Sequence, residues 1–388
     1  MRAMDRELAL ARAWLRAQRI DPPPPLAVHA DDDMRRVDVQ QTVPELRLFE
    51  YLRSGHEALL VLENALRAAG REFGQLGSLL DFAGGYGRVL RHLVQRVPRE
   101  RIAHSDVLAP ALEFVRTTFG VHSFASAADM SALRFPRRYE LIFAASLFSH
   151  LPRARFGPAL RALHAALEPH GLLVFSTHSP LMLEPARRDR SGFTFAPSSE
   201  SRVLAVEEYG SSWVEPELVR ALCAEQGIEH VALLERELWR IQDVYIASRE
   251  PLPGPAHWKP APIARGSILR ASLSPTGHAW IGGFVRVPRE HAPLRELTVV
   301  VTPLAGDTPR AGTPLAAAAP ERGRSFSALV REHTQPLAPH EGGERMRQFD
   351  WFLEGPAGAL AEEPQALCAL AELANGARSC FAVGALGG

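Results

Sequence analysis

Apolar positions fall into two textures along this chain. Over residues 4–19 they recur at helical spacing, with Leu8, Ala11 and Leu15 on one stripe, until Asp21 and the run Pro22–Pro25 stop the helix. The triplet Asp31–Asp33 then reads as a solvated turn. A second helix is predicted over 44–69, with Leu48, Leu52, Leu59, Leu62 and Leu66 apolar and Gly70 as its stop. From Leu76 onward, short apolar runs alternate with helical stretches. The runs are Ser78–Phe82, Arg101–Ser105, His122–Ala125, Leu141–Ala145 and Leu172–Thr177, and the helices lie at 87–97, 109–118 and 155–168. A helix at 215–227 and the segments Glu229–Leu234 and Asp243–Ala247 complete the series. Short apolar strands interleaved with helices predict a parallel sheet covered on both faces.

Beyond Arg249 the texture changes. Residues 250–262 contain five prolines and little periodicity, which reads as a stiff linker. The segments Leu297–Thr302, Ser325–Val330, Gln348–Leu353 and Ala366–Leu373 are separated by Gly, Pro and acidic turns, the texture of a small antiparallel β domain. Asn375-Gly376 suits a late hairpin turn. The expected organisation is an N-terminal helical cap (1–70), an α/β domain (71–249), the linker (250–262) and a sandwich-like β domain (263–388).

Composition narrows the chemistry. At roughly 150 residues per domain, 388 residues suggest two or three domains. Forty-four Lys+Arg balance forty-four Asp+Glu, so the basic excess that accompanies phosphate-backbone binding is missing and no nucleic-acid partner is expected. Lys259 is the sole lysine, which removes a phosphate-loop Gly-Lys-Ser/Thr and most Schiff-base chemistry. Cys223, Cys368 and Cys380 are too sparse for a disulfide framework or a cysteine zinc site. The N-terminal stretch lacks the apolar core of a signal peptide, and no run approaches the roughly 18 apolar residues of a membrane span, so a cytoplasmic location is expected. Oligomeric state is not legible at this level.

The strongest chemical signal is Leu79-Leu80-Asp81-Phe82-Ala83-Gly84-Gly85-Tyr86-Gly87-Arg88, an apolar strand running into glycines and then a helical pattern. Glycines let the backbone turn tightly and let a ligand approach its amides. Asp106 ends the second strand about 20 residues on, where a carboxylate in such folds takes ribose hydroxyls. Asp129 follows the third strand, placed for an adenine edge. The competing reading is that both acids merely cap helices or turns. A dinucleotide site wants a third glycine, and here Gly85-Tyr86-Gly87 is followed by Arg88, Val89 and Leu90. Asp81 would repel a pyrophosphate but could hold an ammonium group. S-adenosylmethionine, with an amino group and a sulfonium and no phosphate, therefore fits better than a nicotinamide dinucleotide.

The run Asp81 to Leu93 resembles the first motif of class I S-adenosylmethionine-dependent methyltransferases, in the wording of a bacterial branch that reads Asp-Phe-Gly-Cys-Gly-Tyr-Gly-Arg. Ser105-Asp106, Asp129-Met130, the fourth-strand run Tyr139–Leu151, Pro169-His170-Gly171 and Gln242-Asp243 resemble further motifs of that family in order. Ala83-Gly84 stands where the branch has Gly-Cys, an exchange of small residues expected to be tolerated. The resemblance, from about Leu48 to Arg249, implies a Rossmann-like α/β fold with a seven-stranded sheet. It implies S-adenosylmethionine as cofactor, held by Asp81, Gly84, Gly85, Tyr86, Gly87, Asp106, Val107, Asp129, Met130 and Ala145.

An acceptor hydroxyl would benefit from a base near neutral pKa. His150 after the fourth strand and His178 after the fifth lie on the carboxyl edge of the sheet and are the candidates, with a structural role the competing reading for each. Residues 180–213 carry Arg187-Arg188-Asp189-Arg190 with Phe193, Phe195, Tyr209 and Trp213, and read either as a substrate lid or as a charged loop with its aromatics packed inward. The expected activity is methyl transfer, O-methylation of a small-molecule or saccharide acceptor. The rival is a non-catalytic scaffold that keeps the fold.

Overall fold

The computed structural model describes residues 3–35, 44–127, 129–130, 133–254, 260–261, 263–273, 278–291, 293–303, 324–332, 346–356 and 365–386. Of the expected linker, residues 255–259 and 262 lie outside that set. The alternating texture is realised as a mixed nine-stranded sheet. Strands β1 (Leu79–Phe82), β2 (Ile102–Asp106), β3 (His122–Ala125), β4 (Tyr139–Ala144) and β5 (Leu167–His178) run parallel in the order β3-β2-β1-β4-β5. Strands β6 (Phe193–Ala196) and β7 (Ser211–Val214) form an antiparallel pair that meets β5 at His178↔Trp213. Strand β8 (His230–Leu238) pairs antiparallel with β9 (Gln242–Ser248), which lies antiparallel along β5.

Every residue of β1 and β2 is buried, as strands covered on both faces must be. Seven of the nine strands are those predicted by the alternation. The other two, β6 and β7, fall inside the segment expected to be a lid. Helices α3 (Leu90–Leu93), α4 (Ala109–Phe119), α5 (Arg153–Ala165) and α6 (Pro216–Glu225) flank the sheet. Phe156, Leu160 and Leu163 of α5 and Val219 and Leu222 of α6 join one core with Phe148, Phe175 and Tyr245. The helix expected at 87–97 is a single turn. Gly87 has a left-handed φ of 78° where that helix would begin, and the chain returns to turns after Leu93.

The chain divides into two compact units, Pro25–Val37 with Ser54–Ala261, and Met1–Pro24 with Asp38–Arg53 and Pro262–Gly388. Helix α2 (Arg47–Ala68) contributes to both. In the second unit β10 (Arg265–Leu273), β11 (His278–Pro288), β14 (Leu329–Glu332) and β15 (Met346–Pro356) form one antiparallel sheet. Strands β12 (Leu294–Pro303), β13 (Arg324–Ser327), β16 (Gln365–Leu373) and β17 (Arg378–Leu386) form another. The two share a core of Ile281, Val285, Trp351, Val299, Leu367 and Phe381 among others. Asn375-Gly376 makes the expected turn between β16 and β17, with the Ala377 N–H donated to Asn375 Oδ1 at 3.0 Å. Helix α1 (Ala3–Gln18) buries Leu10, Ala11, Trp14 and Leu15, and the Trp14 Nε1–H donates to the Cys380 carbonyl on β17 at 3.1 Å. Among the described residues no helix is long and apolar enough to cross a membrane.

Candidate active site

The site begins where β1 runs out. Ala83, Gly85 and Gly87 all adopt left-handed φ values, 55°, 55° and 78°. A Cβ on Gly85 would meet nothing within 4 Å, so glycine is needed there for conformation alone. Gly84 is different: a Cβ there would lie 2.4 Å from Asp81 Oδ2 and 2.8 Å from His104 Cδ2. Asp81 packs its carboxylate so tightly beneath the turn that the cysteine of the resembled motif would not fit without movement. The expected tolerance for small residues at this position is therefore narrower than their volumes suggest. At the end of β2, Asp106 ties the turn to the sheet. The Gly85 N–H donates to its Oδ2 at 2.8 Å and the Leu108 N–H to its Oδ1 at 2.9 Å. Burial raises the Asp106 pKa while these backbone donors oppose the rise.

Asp81 is buried, and its Oδ2 has no hydrogen-bond partner. Burial, with Asp106 adding repulsion, pushes its carboxyl up to about 7. An unsatisfied polar atom in a buried strand is unfavourable and calls for an explanation in ligand terms. Asp81 lines a cavity of about 490 Å³, inside the usual range for small-molecule sites. The glycine turn, the end of β2, Met130 and Ala145–Leu147 form its sheet-edge walls. Two segments from elsewhere complete it, Asp31–Met34 and Glu200–Leu204, with Glu208 and Tyr209 beyond them. Seven carboxyl side chains and three guanidinium groups line it, a balance that favours a ligand with a cationic centre and no phosphate.

This glycine turn and strands β1 to β4 lie within residues 79–171, the segment that matches the family described as a methyltransferase domain. Residues 79–171 are a methyltransferase domain. No curated protein matches the chain. Among solved structures, DhpI in complex with SAH is 16% identical, with 64% of this chain and 99% of that one covered at a TM-score of 0.38. An S-adenosylmethionine-dependent methyltransferase from Mesorhizobium loti is 21% identical, with 48% and 96% covered at a TM-score of 0.35. DesVI of Streptomyces venezuelae is 16% identical, with 52% and 92% covered at a TM-score of 0.38. At such distance nothing about an acceptor transfers.

The methyltransferase domain fits the methyl donor of its family, S-adenosylmethionine. That molecule has an ammonium and a sulfonium for the orphaned Asp81 oxygen and the acidic walls to meet, and no phosphate to be repelled. Of the residues expected to hold it, Asp81, Gly84, Gly85, Tyr86, Asp106, Val107, Met130 and Ala145 line the cavity. Gly87 does not. A Cβ there would lie 2.7 Å from Phe119 Cε2, so this glycine serves the packing of the turn on α4. Asp129 is exposed and does not line the cavity either. Tyr86 stacks on His29 at 4.6 Å between ring centroids, which joins the methyltransferase turn to the segment carrying Asp31–Met34. Arg91, fully buried, fixes that segment by donating to the carbonyls of Pro25 at 2.6 Å and Ala27 at 3.1 Å.

The two candidate bases stand behind the cavity wall and do not line it. The His150 ring is 3% exposed, stacks on Tyr209 at 4.4 Å and places Nδ1 2.6 Å from the Gly210 carbonyl, which makes Nδ1–H the donor. Its Nε2 lies 3.3 Å from Glu200 Oε1. Burial lowers the His150 pKa against the pull of Glu200. His178, stacked on Trp213 at 5.5 Å, is pushed down to about 3 by burial and by the neighbouring His150. Of the four aromatics of the expected lid only Tyr209 lines the cavity, Phe193 belongs to the core, and Arg187–Arg190 stay outside. The acidic triplet, expected as a solvated turn, forms cavity wall instead. Asp32 is buried, and its Oδ1 accepts the Met34 N–H at 2.9 Å. The residues missed were thus Asp31–Met34 and Glu200, of which the acidic run left a mark in the sequence, whereas Tyr209 stands among the aromatics of the expected lid.

Proposed function

We propose that the protein transfers the methyl group of S-adenosylmethionine to a hydroxyl of a small polar acceptor, with a saccharide as the leading class. The observation that carries the reading is the buried, unpartnered Asp81 oxygen beneath a glycine turn in a cavity rich in carboxylates, a recognition site for a cation without phosphate. Asp81 and the Gly84-Gly85 backbone would hold the amino-acid side of the cofactor, Asp106 the ribose, and Met130 with Ala145 the adenine. When bound, the cofactor supplies an electrophilic methyl group on a positively charged sulfur.

The chain's own contribution is alignment and proton handling. Alignment supplies much of the catalysis in a displacement between two held reactants. Glu200 lines the cavity and is the group placed to take the proton of an acceptor hydroxyl, with its Oε1 3.3 Å from Nε2 of buried His150. The rim supports a polyhydroxyl acceptor. The Arg155–Glu208 pair at 2.7 Å and the Arg202–Asp33 pair present charged donors and acceptors, and Ser201 and Tyr209 line the same cavity.

The test uses methyl-labelled S-adenosylmethionine and a panel of sugars and sugar nucleotides, with the product's methyl carbon assigned to oxygen or nitrogen by NMR. Glu200→Gln is expected to lower turnover about 100-fold while S-adenosylhomocysteine affinity stays within about twofold. Equal turnover in the variant would remove Glu200 as the base, and a methyl group on nitrogen would overturn the hydroxyl acceptor.

A further inference from the structure

Ser146, just past β4, is an L-residue at a left-handed φ of 60°. Backbone strain of this kind persists only where its surroundings enforce it, and it gathers at functional sites. Here the enforcement is a closed ring of three hydrogen bonds. The Ser146 N–H donates to Ser176 Oγ on β5 at 2.9 Å, and the Ser176 hydroxyl donates to Gln242 Oε1 on β9 at 2.6 Å. The Gln242 amide then returns an N–H to Ser146 Oγ at 2.6 Å. Ser176 and Gln242 are both buried. The Ser149 hydroxyl closes the turn by donating to the Ser146 carbonyl at 2.8 Å.

The ring has a direction. Were the Gln242 amide turned over, Ser176 Oγ would face two N–H donors and its own buried proton would lack an acceptor, which is unfavourable. The amide therefore presents its N–H to Ser146. The Ser146 hydroxyl proton takes no part in the ring, and Ser146 lines the cavity whereas Gln242 does not. A hydroxyl that already accepts one N–H is polarised as a donor. It favours a ligand atom with a lone pair, which a hydroxyl oxygen has and an ammonium lacks. Along the sheet edge Ser146 stands across β1 from Asp106, and Glu200 enters from the connection between β6 and β7, beyond β5. Ser146 therefore lies toward the side from which the proposed base arrives.

We propose that Ser146 determines specificity by donating a hydrogen bond to the acceptor's hydroxyl oxygen, and that Gln242 is the positioning residue that fixes Ser146 as the donor. The pair makes the site select a neutral hydroxyl over a protonated amine, on the reading that this cavity takes a saccharide hydroxyl as methyl acceptor.

Methyl transfer from saturating, labelled S-adenosylmethionine is followed at pH 7 with methyl glucoside, methyl galactoside and methyl mannoside, and with the monoamino analogues of each. Wild type is expected to favour the hexosides. Ser146→Ala and Gln242→Leu should each lower kcat/KM for them about tenfold, the loss of one well-placed hydrogen bond. Both should narrow the preference over the amines and leave S-adenosylhomocysteine affinity within about twofold. Gln242→Glu keeps the shape of the side chain but donates to Ser146 only while its carboxyl is protonated. Its hexoside turnover relative to wild type should climb as pH falls, a dependence that a packing role would not produce. Should the leucine variant lose its fold, this pH profile decides alone. Unchanged selectivity in Ser146→Ala, or a pH-independent ratio in Gln242→Glu, overturns this inference while the acceptor reading stands. Wild-type protein that binds S-adenosylhomocysteine yet methylates the amines instead, or none of the probes, overturns the acceptor reading and this inference with it.

Discussion

Asp81 concentrates the conflict between stability and function. Its carboxyl is held at about 7 in the folded protein against an ordinary value of 3.8, so between those values the folded chain keeps a proton that the unfolded chain has released. The stability this group contributes is full below pH 4 and is lost as pH rises through 7. Asp81→Asn removes the titration. Relative to wild type, the variant is expected to gain about 1–3 kcal/mol between pH 5 and pH 8, read by urea unfolding at each pH. A constant difference across that range would mean the folded protein already holds the carboxylate ionised. The same variant should abolish the pH dependence of S-adenosylhomocysteine affinity, which in wild type is expected to fall below pH 7 as the carboxylate is protonated. Two residues on, Ala83 is an L-residue at φ 55°. Relief of left-handed strain, about 1–2 kcal/mol, outweighs the greater unfolded-state freedom of glycine, so Ala83→Gly should stabilise by about 0.5–1 kcal/mol in the same assay.

At the scale of elements, the strand–turn–helix unit around β1 carries the site, and its glycines differ in kind. Gly85→Ala meets open space and costs only the conformational term, about 1–2 kcal/mol. Gly87→Ala adds a clash with Phe119 of α4 to the same conformational term, and about 2–4 kcal/mol is expected. Melting temperatures should therefore rank wild type above Gly85→Ala above Gly87→Ala. The reverse order would place the α4 contact outside what holds the turn. The segment after β5 has the opposite character. Its strands β6 and β7 extend the sheet, and the Ser212 N–H donates to the Ser149 carbonyl at 2.7 Å, so Glu200 and Tyr209 are delivered to the cavity from a braced element.

Each of the two compact units has its own hydrophobic core, one around Phe148, Phe156 and Phe175 and the other around Val285, Trp351 and Phe381. Separate cores predict separable unfolding. Scanning calorimetry is expected to resolve two transitions. S-adenosylhomocysteine should raise only the transition of the unit that holds the cavity. Trp14→Ala, which removes a fully buried side chain packed on β17, should lower only the other, by about 3–5 kcal/mol. A single transition moved by both changes would mean the units unfold as one.

The sequence by itself determined the alternation of seven strands with helices, the glycine turn, Asp81 beneath it and Asp106 at the end of β2. Each of these depends on period or on neighbours within a few residues, so the chain carries them locally. It also determined the class of cofactor, because a missing third glycine and an acid before the turn are local facts. Only the tertiary structure decided which distant residues close the cavity. Asp31–Met34, Glu200 and Tyr209 reach one cavity from distant places in the chain, and contacts at that separation leave no periodic trace. It decided, too, that His150 and His178 face the wall behind the cavity. A residue just past a strand can turn either way, and the stacking of Tyr209 and Trp213 on the two rings is what chose.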